Sequence, residues 1–125
     1  MIIYLDFDGT VVDHKYPNIG EENALAFETI AMLQNAGHDV YLNTKRVEFN
    51  NDTLLNSLLF LYNHKHIKIK EFKCICSSKI SPKRWDWKLM NETGIIYIDD
   101  IAPGIPLIKQ SGKYPMVNWV EIKNN

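Results

Sequence analysis

Apolar positions come in two alternating rhythms along the chain. Short runs suited to strands (IIYLDF at the start, then HDVYLNT, IKIKEFKCICS and IIYIDD) are separated by segments spaced like amphipathic helices. Residues 21 to 36 place Ala26, Phe27, Ile30 and Leu33 on one helical face, with acids at the front and Gly37 as the stop. Asn51 or Asp52 can cap a second helix whose Leu54, Leu55, Leu58, Leu59 and Tyr62 form one broad stripe. Ser81 and Pro82 suit the cap and first turn of a third, running to about Asn91 before Gly94. The stretch from Ile105 onward has no clear period, and leaves room for an edge strand or a short helix around Trp119.

Strands alternating with helices imply right-handed crossovers and a parallel sheet covered by helices on both faces. The competing reading of the opening is a hairpin, because Asp8-Gly9 lies between apolar pairs. The helix over 21 to 36 weighs against it, since it supplies the long crossover that a parallel partner needs. A small flap at Val11 and Val12 is compatible with either.

Composition narrows the class only slightly. A chain of 125 residues fits one domain, 1–125, and 14 basic against 15 acidic residues give no global pull toward nucleic acid or an anionic membrane. No apolar stretch reaches spanning length and no signal-peptide pattern opens the chain, so the expected location is cytoplasmic, with no membrane partner. Cys74 and Cys76 follow Phe72 on one strand face and read as core packing.

The candidate chemistry lies at the ends of the apolar runs. Asp6 and Asp8 follow the first, Thr44 the second, and Asp99 and Asp100 the fourth. A parallel sheet brings these carboxyl ends to one edge, where open α/β sheets bind ligands. Alternation would also set Asp6 and Asp8 on one side of the strand, where two like charges need an offset. Four carboxylates with a hydroxyl suit a hard cation such as Mg²⁺. A helix N-terminus lies on that same edge, so Lys83 first and Lys79 second are placed to reach the site, ahead of Lys88 further along the helix.

These residues resemble the haloacid dehalogenase-like (HAD) superfamily of aspartate-nucleophile phosphotransferases. Asp6-Phe7-Asp8-Gly9-Thr10 matches its first motif, the strand ending at Thr44 its second, and IYIDD its fourth. YPNIGEE and DDIAPGIP further resemble small bacterial members described as hydrolases. The resemblance implies a three-layer Rossmann-like fold. It also implies a phosphomonoester hydrolase in which Asp6 is the nucleophile and Asp8 the general acid and base. Mg²⁺ would be held by Asp6, the Asp8 backbone carbonyl, and Asp99 or Asp100, with Thr44 and Lys83 on the phosphate oxygens.

The intervals between motifs are filled by the predicted elements, so no cap domain is expected. An open site suits either a macromolecular phosphomonoester or a small one covered by the loop DHKYPNIG or by another subunit. Lys45 and Arg46 can meet a phosphate or be solvated loop charges. The alternative function is a catalytically silent HAD-like binding or regulatory module that keeps the metal site.

Overall fold

The computed structural model describes residues 2–48, 52–64, 72–74, 84–85, 88, 92–110 and 112–123. Four strands, β1 (Ile2–Leu5), β2 (Asp39–Leu42), β3 (Phe72–Cys74) and β4 (Ile95–Ile98), form a wholly parallel sheet in the order β3-β2-β1-β4. The expected α/β architecture with a parallel sheet is therefore present, and the opening is a central strand rather than one arm of a hairpin. A flap does exist beyond it, held by bridges from Val12 to Asp8 and to Glu22.

The sheet has two unlike faces because β1, β2 and β4 share one pattern. Ile3, Leu5, Val40, Leu42, Ile96 and Ile98 are buried on one face. On the other, Tyr4 pairs in register with Tyr41 and Tyr97, giving a half-buried tyrosine ladder with ring centroids 5.9 and 5.3 Å apart. Burial and the adjacent Tyr4 push the Tyr97 hydroxyl upward from its ordinary pKa.

Helix α1 (Ala26–Asn35) begins later than the expected residue 21. Residues 21–23 instead pair with 11–13, through Asp13 N–H to the Glu21 carbonyl and Asn23 N–H to the Val11 carbonyl. Leu25 then turns the chain at φ 64°, so the helix can only start after it. The far end is as expected. Gly37 sits at φ 94°, its N–H bonds to the Gln34 carbonyl, and His38 N–H reaches the Leu33 carbonyl, a Schellman closure that favours glycine.

Helix α2 (Thr53–Tyr62) departs from its expected face. Thr53, Ser57 and Leu61 are buried, while Leu55, Leu59 and Tyr62 are about half exposed. Phe60, whose ring meets Phe7 and Phe27 edge-on at 6.1 and 5.9 Å, packs against the core with Leu58, which leaves the Leu55, Leu59 and Tyr62 side of the stripe facing outward. Asp52 occupies the cap position without a side-chain capping bond.

The unassigned C-terminus forms a two-stranded antiparallel pair, β5 (Leu107–Ile108) with β6 (Met116–Val117), followed by helix α3 (Trp119–Lys123). The expected third crossover helix falls mostly outside the described residues; Lys88, Glu92 and Thr93 have helical backbone. No helix among the described residues is long and apolar enough to cross a membrane.

Candidate active site

Sheet register builds the site. Leu5 lies opposite both Leu42 and Ile98, and the ladder continues one step beyond, with Asp6 N–H donating to the Ile98 carbonyl at 2.9 Å and Asn43 N–H to the Leu5 carbonyl at 2.7 Å. Asp6 and Asp99 thus leave the sheet at one level, beside the point where strand order reverses between β1 and β4. Open α/β sheets place ligands in that crevice.

One oxygen from each of Asp6, Asp99 and Asp100 lies within 4.8 Å of the others, and Asp6 and Asp99 are buried. Thr10 donates its hydroxyl to Asp6 at 3.3 Å, and Asp99 accepts the Ile101 N–H at 3.1 Å. Burial is the main reason the Asp100 carboxyl is raised above the ordinary carboxylate range. Neighbouring Asp99 raises it further, against the lowering effects of Asp6 and His14. Three carboxylate oxygens this close repel one another, and a divalent cation among them would offset that repulsion.

Asp6, Asp8, His14, Thr44, Lys45, Asp100 and Ile101 line an open cleft of about 210 Å³. Sequence reasoning placed Asp6, Asp8, Thr44 and Asp100 at one edge, and the fold brings all four to this cleft. Thr44 is buried and its hydroxyl accepts the Arg46 N–H at 3.2 Å. Lys79 and Lys83 lie outside the described residues, as do Cys76 and the Cys74 side chain; Lys88 is exposed.

The crowding of Asp6 and Asp8 is relieved differently from expectation. The strand ends at Leu5, so alternation does not extend through residue 8, and the Asp8 carboxylate meets Arg46 in a two-point pair at 2.8 and 2.7 Å. The Asp8 carboxylate is thus held by Arg46, while Asp6, Asp99 and Asp100 form the acidic triad. Arg46 is no solvated loop charge, being 1% exposed, whereas its neighbour Lys45 is exposed at the cleft.

One further residue, His14, escaped the sequence reading. His14 approaches Asp100 at 3.2 Å and the Pro115 carbonyl at 3.2 Å, so it walls the cleft beside the triad. Gly9 sits at φ 78°, and a Cβ there would lie 2.1 Å from His14 Nε2 and 2.8 Å from Asp100. The positive φ and the close approach of His14 both require a glycine here.

Among solved structures, the chain is similar to a conserved protein from Bacteroides thetaiotaomicron. The two are 28% identical over 74% of this chain and 87% of that one, with a TM-score of 0.43. No family model matches the chain, and no curated protein does. The reading of the site therefore rests on its own residues.

Proposed function

We propose that the protein is a Mg²⁺-dependent phosphomonoester hydrolase working through an aspartyl-phosphate on Asp6. The observation that carries this is the convergence of Asp6, Asp99 and Asp100 at the carboxyl edge of a parallel sheet, beside a cleft that also holds Asp8 and Thr44. Three acids held this close repel one another, and a bound cation offsets that cost.

In this reading an Asp6 oxygen attacks phosphorus while the ester P–O bond breaks, which splits one difficult hydrolysis into two steps. Asp8 gives a proton to the leaving oxygen and then takes one from the water that cleaves the aspartyl-phosphate. Thr44 offers its hydroxyl to a phosphate oxygen, and Lys83 would supply the balancing cation. Asp6, Asp99 and Asp100, with the Asp8 carbonyl, would hold Mg²⁺, whose role is to neutralise charge on the transferring group.

The fold is proposed to be a three-layer, Rossmann-like, HAD-like arrangement without a cap domain. Helices α1 and α2 meet through Phe27 and Phe60, and strand order runs outward from β1 to β3 and then returns to β4. The substrate is proposed to be a phosphorylated small molecule or macromolecular end, and the location cytoplasmic.

Phosphate release from a panel of phosphomonoesters, with Mg²⁺ and with EDTA, tests the proposal. Release that needs Mg²⁺ supports it. A folded protein inert toward the whole panel favours the silent binding module.

A further inference from the structure

We infer that Arg46 is a positioning residue that sets the Asp8 carboxylate for proton delivery to the leaving oxygen. The inference rests on the phosphatase reading and deepens it. Arg46 is among the largest fully buried side chains of the protein, at 1% exposure. A guanidinium so placed requires partners for its donors, since a buried charge left unpaired is strongly destabilising.

Every direction from the guanidinium is taken. Nε donates to Asp8 Oδ2 at 2.8 Å and Nη2 to Asp8 Oδ1 at 2.7 Å. Nη2 also reaches the Asn18 carbonyl at 2.9 Å, while Nη1 reaches the carbonyls of Thr53 at 3.0 Å and Pro17 at 3.5 Å. The rings of Phe7 and Tyr16 lie 5.0 and 5.2 Å from its central carbon. Enclosed in this way, Arg46 cannot act as a phosphate-binding cation, and its one charged contact among the described residues is Asp8.

The geometry of that contact is specific. Two parallel N–H bonds fix both the location and the rotation of a carboxylate, which a lysine's point charge does not. Each Asp8 oxygen has a further lone pair, and the residue lines the cleft that holds Asp6 and Thr44. The anchoring carbonyls belong to the loop after Asp13 and to the start of α2, so both segments hold the guanidinium that holds the acid. In the transfer step the Asp6–phosphorus bond forms, the ester P–O bond breaks, and the leaving oxygen takes the Asp8 proton. The carboxylate that remains is the partner the guanidinium fork holds, and the attacking water later returns a proton to it.

Leaving-group dependence tests this, because an alkoxide needs the proton and 4-nitrophenolate hardly does. With Mg²⁺ present, kcat/KM is measured for benzyl phosphate and 4-nitrophenyl phosphate. Arg46→Lys should lower the benzyl value by roughly 10²-fold, the scale of lost general acid catalysis, and the nitrophenyl value far less. In an Asp8→Asn background, Arg46→Lys should cost nothing more on either ester. Equal losses on both esters, or the same loss in the Asp8→Asn background, would overturn the inference and leave the phosphatase reading standing. If Arg46→Lys is too unstable to assay, Asp8→Glu keeps the pair and shifts the carboxylate by one methylene. A selective loss on benzyl phosphate then supports positioning, and unchanged rates on both esters refute it. Where the wild type turns over neither ester, the comparison is made on an alkyl and an aryl phosphate from the panel that it does hydrolyse; a wild type inert toward the whole panel with Mg²⁺ removes the phosphatase reading and this inference together.

Discussion

Trp119 donates its indole N–H to the carbonyl of Thr10 at 2.7 Å, joining the C-terminal helix to the loop that follows the central strand. Asn23 donates to the same carbonyl at 2.9 Å and to the Val117 carbonyl at 2.7 Å. The Val117 N–H in turn bonds to the Gly9 carbonyl at 3.0 Å. The segment after Ile105 is thus a brace that holds the loop carrying Asp8 to Thr10 against the sheet.

Trp119→Phe keeps most of the buried ring and removes the donor. It should destabilise the protein by about 1–3 kcal/mol, the scale of a lost buried hydrogen bond with some loss of packing. Urea unfolding reads this directly, and an unchanged midpoint would contradict the brace.

Gly9→Ala meets two obstacles. A left-handed backbone costs a residue with a Cβ about 1–2 kcal/mol. The new methyl would also fall within 2.1 Å of His14 Nε2, so His14 must leave its contact with Asp100. The expected outcome is a lower melting temperature together with weaker Mg²⁺ binding, by thermal melts and calorimetric titration. Wild-type behaviour in both would show that His14 moves aside freely.

Asp100 gives the site a pH dependence of known sign. Its folded-state pKa is raised, chiefly by burial, so the folded protein keeps a proton that the unfolded chain loses near ~3.9. Its contribution to stability is therefore present below the unfolded value and is lost as pH rises through the folded one. A bound Mg²⁺, as proposed, would compete with that proton, so its affinity should increase over the same window. Asp100→Asn in EDTA should melt higher than wild type above this window and match it below, and it should lose most of the Mg²⁺-induced increase. Melting curves across a pH series check this; a difference independent of pH would contradict it.

Much of the site was legible because strand ends in a parallel sheet are legible. Asp6, Thr44 and Asp99 each follow an apolar run, and register does the rest. The role of Arg46 was hidden, since sequence spacing cannot say whether a loop arginine turns outward or in; the clue was Asp8, an acid that needed a partner. The α2 stripe misled for a related reason. Leu55 and Leu59 follow helical periodicity, but the side of the helix that packs on the core is the one with Leu58 and Phe60. The start of α1 was hidden because Glu21 and Glu22 look like first-turn acids, and their pairing with the flap is a tertiary fact. The brace after Ile105 has strands of two residues each, too short to show a period.

The covalent step on Asp6 is the central claim, and trapping it is the most direct measurement. Protein mixed with a reactive aryl phosphate and Mg²⁺ is quenched in acid within a turnover, and its peptides are analysed by mass spectrometry. The account predicts a phosphoryl group on the peptide spanning Asp6, lost on mild alkaline treatment as acyl phosphates are, and absent from Asp6→Asn, which should remain folded. Turnover retained by Asp6→Asn, or a phosphoryl group mapped to another residue, would contradict it.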